Sequence, residues 1–117
     1  MGTFAKQAVS NHKKFYSCSA SVLAAFHEQA GLTEKSAKEA AAPFAGGKMG
    51  KCGAVLSAEY VLKEKYGEDS EELVRDFEKR FIDTGKGSVM CADLRGKGTK
   101  SCRACVTDAA EILEEIL

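Results

Sequence analysis

Five cysteines carry the most distinctive chemistry in this chain of 117 residues: Cys18, Cys52, Cys91, Cys102 and Cys105. A thiolate is a nucleophile, a metal ligand and one half of a disulfide. Cys52 ends the glycine-rich run Gly46-Gly47-Lys48-Met49-Gly50-Lys51 and stands at the expected start of a helix. The helix dipole and the charges of Lys48 and Lys51 favour its thiolate. Gly50, Lys51 and Gly53 are the expected surroundings of that sulfur. The glycines let backbone come close and offer N–H groups to it. Cys102-Arg103-Ala104-Cys105 is a CxxC at the expected start of the last helix. That spacing suits a dithiol couple, half of a metal site, or coincidence. A thioredoxin-like couple needs a βαβ context, of which the sequence shows none. A zinc site normally adds a second close pair of cysteines or histidines. His12 and His27 are too far apart to be one, and are read as surface or partly buried helix residues.

A single cysteine is more often a small buried apolar residue than a ligand. Five in one small domain, four of them at expected helix starts or turns, shift the balance toward a shared site. The odd number leaves at least one thiol outside any fully paired scheme. From the residues alone, metal binding and dithiol chemistry stand level, and neither names a reaction or a catalytic residue.

The elements that must position these sulfurs follow from hydrophobic spacing. Residues 3–16 form a helix with a loose apolar face. Residues 18–30 form a second, with Phe15, Cys18, Val22 and Phe26 on one face and Gly31 as its C-cap, so that Cys18 points to the core. Thr33 caps an alanine-rich helix that stops at Pro43 and Gly46-Gly47. A helix from Cys52 to Tyr66 buries Val55, Leu56, Ala58, Glu59 and Leu62, and Gly67 closes it. Asp69 or Ser70 caps the next, with Leu73, Val74, Phe77 and Phe81 inward. Residues 88–95 make one or two helical turns, and 95–101 a basic loop. Ser101 caps a last helix with Val106, Ala109, Ala110, Leu113, Ile116 and Leu117 as its apolar stripe. No alternating β-branched run points to a strand. The expected architecture is all-α: one domain over residues 1–117, a compact bundle of five to six short helices with cysteines at helix starts and turns.

Composition narrows the function classes. Hydrophobic residues make up 44% and charged residues 29%, as in ordinary globular proteins. Lys plus Arg is 17 and Asp plus Glu is 17, which argues against nucleic-acid binding driven by bulk charge. No apolar run is long enough for a signal-peptide core or a membrane span, so the expected location is the cytoplasm, without membrane insertion. In that reducing compartment, metal or redox chemistry is favoured over structural disulfides. The run Ala45 to Cys52 imitates a P-loop. It has alanine for the first glycine, cysteine for the hydroxyl, and a helix where a strand should precede it, so ATP binding is rejected.

The chain resembles the C–GCAxxG–C–C family of small redox-active proteins. The likeness runs over roughly residues 5–117. It begins at Cys18-Ser19-Ala20-Ser21-Val22-Leu23-Ala24-Ala25-Phe26 and passes through Cys52-Gly53-Ala54-Val55. It continues over Phe77, Phe81, Cys91 with Leu94, and Cys102 with Val106. Ser57 is read at the place of the motif's last glycine. A related domain occurs in split-Soret cytochromes, where it is associated with an iron–sulfur cluster. The resemblance implies an electron-transfer protein in which Cys18, Cys52, Cys91 and Cys102 hold such a cluster. Cys105 is the alternative ligand or redox partner. Zinc, or no metal at all, is the alternative filling of the site. A redox partner protein is implied, and an exposed helix face could also pair two copies as a homodimer.

Overall fold

The computed structural model describes residues 2–47, 53–84 and 102–117. Among them are six α-helices and no strand: α1 (Thr3–Lys13), α2 (Cys18–Ala25), α3 (Glu34–Ala41), α4 (Gly53–Tyr66), α5 (Ser70–Thr84) and α6 (Cys102–Ile116). Tighter 3-10 turns occupy Ala42–Gly47 and Gly67–Asp69. The all-α expectation holds. The turn at Ala42–Gly47, not a strand, leads toward α4, which agrees with rejecting a P-loop.

The short helix α2 is the centre of the bundle. Every residue of it except Cys18 is buried, and it packs against α1, α3, α4 and α6. Its sequence, CSASVLAA, has no charged face to turn toward water, and such a helix belongs in the interior. Its serines satisfy their hydroxyls against backbone: Ser21 Oγ donates to the Ser17 carbonyl at 2.7 Å. Ser17 caps the helix, its Oγ accepting the Ala20 N–H at 3.2 Å.

The other helices present apolar stripes to this centre. α4 brings Val55, Ala58, Val61 and Leu62, α5 brings Phe77 and Phe81, and α6 brings Val106, Ala109, Ala110 and Leu113, all fully buried. Thr33 caps α3 as expected, its Oγ1 accepting the Ser36 N–H at 3.1 Å. The N-terminus of α1 has no cap of its own. Glu114 on α6 supplies one, its Oε1 accepting the Phe4 N–H at 2.7 Å. A carboxylate there also meets the positive end of the helix dipole.

Several sequence expectations shift. α1 ends at Lys13 instead of running to residue 16, because buried Asn11 donates from Nδ2 to the Ser21 carbonyl at 3.2 Å and the chain turns there into α2. Phe15 was expected on the inward face with Cys18, Val22 and Phe26. It stands in that turn instead, with φ +72° and 97% exposed. α2 ends at Ala25, and residues 26–31 are turns. Gly31, at φ +73°, finishes those turns and does not cap the helix. Leu56 is only half-buried, and Ser57 takes the inward place. The segments 88–95 and 95–101, including the Ser101 cap, lie outside the described residues.

Candidate functional site

Cys18 is the first residue of α2 and Gly53 the first of α4. The two helix starts meet. A Cβ added at Gly53 would lie 2.8 Å from Cys18 Sγ, 2.8 Å from the Phe44 carbonyl oxygen and 3.2 Å from Ser19 Cβ. Real Cβ atoms do not approach sulfur or backbone oxygen so closely, so any larger residue here would require the sulfur and the Phe44 carbonyl to give way. Cys18 is half-buried and packs against the hydrophobic core, so the expected inward orientation is found in part. Gly53 directly follows Cys52 in the chain.

A set of serine hydrogen bonds fixes this junction. Ser57, one turn beyond Gly53, donates from Oγ to the Ser19 carbonyl at 2.8 Å. Ser19, next to Cys18, donates from Oγ to the carbonyl of Ala41, the last residue of α3, at 2.9 Å. That carbonyl stands where α3 passes into the 3-10 turn at Ala42–Gly47, so the Ser19 hydroxyl ties the start of α2 to this passage. Both serines are fully buried. Their sequence positions carried little warning, because neither bond follows a local pattern. The one usable sign is that Gly53 and Ser57 are small residues four apart on a helix, a spacing that permits close helix contact.

The remaining expected site residues divide in two. Cys105 lies in the core, 2% exposed. Cys102 opens α6, three residues before it. Cys52, Cys91, Gly50 and Lys51 lie outside the described residues. The structure thus brings together Cys18 and the residue after Cys52. Among the described residues, no group of three or more His, Cys, Asp and Glu side chains is arranged to hold a metal. The histidines are both half-buried, as expected, and His27 Nδ1 lies 2.7 Å from the Ala24 carbonyl oxygen.

A separate cleft of about 400 Å³ runs between α5 and α6, lined by Arg80, Asp83, Asp108, Glu111, Ile112 and Glu115. Arg80 is held there by Asp76 at 3.1 Å and Glu115 at 3.5 Å. None of these described lining residues carries sulfur or belongs to the thiol junction. No helix among the described residues is long and apolar enough to cross a membrane.

The comparisons with known proteins bear on the cysteine pattern. A family model described as "Putative redox-active protein (C_GCAxxG_C_C)" matches residues 16–116. No curated protein and no solved structure matches the chain. Counted from Cys52, Gly53 stands where the printed pattern has alanine, and the pattern's closing glycine falls on Leu56, one residue before Ser57. The alanine position is the one where a Cβ would strike the Cys18 sulfur. The matched span contains all five cysteines and every described helix after α1, and the chain belongs to the C_GCAxxG_C_C family.

Proposed function

We propose that this redox-active protein transfers electrons through an iron–sulfur cluster held by Cys18, Cys52, Cys91 and Cys102. The observation that carries the reading is the space at Gly53. The Cys18 sulfur comes within 2.8 Å of where a Cβ would stand, at the junction that continues directly from Cys52. Four thiolates suit a two-iron, two-sulfide cluster, and the bound cluster would supply one-electron chemistry. The chain's own residues do the rest. Cys18 sits in the first turn of α2, where backbone N–H groups and the helix dipole favour a thiolate. The Ser57–Ser19–Ala41 bonds hold that turn against α4. Burial of Cys105 in the core favours Cys102 as the fourth ligand and leaves Cys105 to packing.

The test is purification without oxygen, followed by iron and sulfide analysis. The expected protein is coloured, contains iron and acid-labile sulfide, and bleaches reversibly on reduction. Absence of both after reconstitution would remove this reading.

The same junction favours one second reading, a metal-free couple between Cys18 and Cys52. Oxidation would join the two sulfurs and release two protons and two electrons to an acceptor disulfide, which becomes two thiols. Burial of Cys105 counts against the Cys102–Cys105 couple. A reversible two-electron couple in metal-free protein, with a Cys18–Cys52 disulfide in the oxidised form, would select this reading over the cluster. Stoichiometric zinc, with helicity lost on chelation, would instead mark a structural site. In the favoured reading the protein works in the cytoplasm with a redox partner protein.

A further inference from the structure

Phe15 is the large hydrophobic side chain that the described fold leaves in water, 97% exposed. Its backbone is left-handed, with φ +72°. The cause is the ending of α1. The Phe15 N–H donates to the His12 carbonyl at 3.1 Å, and the Tyr16 N–H to the Asn11 carbonyl at 3.2 Å. Those two bonds are the Schellman pairing, and the residue at the position of Phe15 is ordinarily glycine or asparagine. A Cβ is penalised in that conformation, and a ring gains nothing from it unless it packs. A lone exposed apolar residue is ordinary. An aromatic one in a position where the fold prefers glycine is an outlier, and such outliers gather at functional sites.

The charges around Phe15 are mostly positive. Lys13 and Lys14 precede it, and both are exposed. Lys38 Nζ lies over the Tyr16 ring at 4.3 Å from its centroid. One acid, Glu34, meets this turn, its Oε1 accepting the Tyr16 hydroxyl at 3.0 Å. Cys18 is three residues further on, which keeps it within about 10 Å of Phe15 along the chain.

We propose that Phe15 is the anchor on which an acidic partner protein docks. The ring enters an apolar pocket of the partner, whose carboxylates rim the pocket and meet Lys13 and Lys14. Buried aromatic anchors carry much of the affinity in such contacts, and the charges steer approach and orientation. Docking at this turn brings the partner to the Cys18 end of α2. The partner's identity as an electron donor or acceptor rests on the proposed redox reading, whereas the docking itself does not.

The test replaces Phe15 with a benzophenone amino acid in the full chain and irradiates the cells that make it. The expected adduct is with a protein whose crosslinked site is flanked by Asp and Glu, and it falls by roughly tenfold when Lys13 and Lys14 are changed to Glu. Unlabelled wild-type protein competes for the adduct, and Phe15→Gly competes roughly tenfold less well. Because glycine suits the turn, Phe15→Gly also raises Tm by about 2–4 °C. No adduct, an adduct only with a second copy of this chain, one only with lipid, equal competition by Phe15→Gly, or a lowered Tm would each overturn the proposal. An acidic partner without a redox group would leave the docking standing and remove only its role as electron donor or acceptor. A working redox couple without docking would do the reverse.

Discussion

The junction of the first turns of α2 and α4 and the α5–α6 region are made of opposite materials. Where those first turns meet, the facing residues are Gly53, Ser57 and Ser19, and the sulfur of Cys18 comes within 2.8 Å of where a Cβ on Gly53 would stand. Where α5 and α6 join the core, the buried side chains are Phe77, Phe81, Val106, Ala109 and Leu113, with an Arg80–Glu115 contact of 3.5 Å at the rim. Large apolar side chains contribute most to stability, because hydrophobic stabilisation scales with the area removed from water. They set position loosely, since cores tolerate repacking when volume is kept. Small residues and buried hydroxyls contribute less stability and set distance more strictly. The protein uses the second kind of contact beside the Cys18 thiol.

Substitutions separate the two roles. Phe81→Ala should have the largest effect on stability, a loss of about 3–5 kcal/mol in denaturant unfolding, while the alkylation rate of Cys18 in the remaining folded protein stays the same. A change in that rate would mean that the two regions are not separable. Gly53→Ala should cost about 1–3 kcal/mol, because either the Cys18 sulfur or the Phe44 carbonyl has to move. Here the alkylation rate of Cys18 should change as well. A variant with unaltered stability and reactivity would show that the close approach is not a constraint.

Ser57→Ala should cost about 1 kcal/mol, since it removes the donor to the Ser19 carbonyl. The smallest expected effect is Glu114→Gln, about 0.5 kcal/mol. It keeps an acceptor for the Phe4 N–H but removes the charge at the start of α1, and the deficit should shrink in high salt. A salt-independent loss would point to the hydrogen bond instead of the charge.

Much of the fold was legible because its signals are local. The Thr33 cap and the Phe77–Phe81 spacing are each set by residues within a turn or two of one another, and the structure bears them out. Phe15 was misplaced for an instructive reason. Its spacing to Val22 and Phe26 fits a helical face, but Phe15 is itself the left-handed residue of the Schellman turn that ends α1, where phenylalanine is not usual. The Ser57–Ser19 and Glu114–Phe4 bonds join residues 38 and 110 positions apart, so no periodicity could foretell them. Of the site, the inward lean of Cys18 followed from helical spacing, whereas the glycines around Cys52 were read only as letting backbone come close to what that sulfur holds. That the approaching atom is the Cys18 sulfur required the fold.

The central claim is that Cys18 is a ligand of the redox centre and Cys105 a packing residue. Iron and acid-labile sulfide per chain, measured after anaerobic reconstitution of wild type, Cys18→Ser and Cys105→Ser, test it most directly. About two irons and two sulfides are expected in wild type and in Cys105→Ser, with near-complete loss in Cys18→Ser at unchanged helical content. Full loading of Cys18→Ser, or loss of the cluster in Cys105→Ser alone, would contradict it.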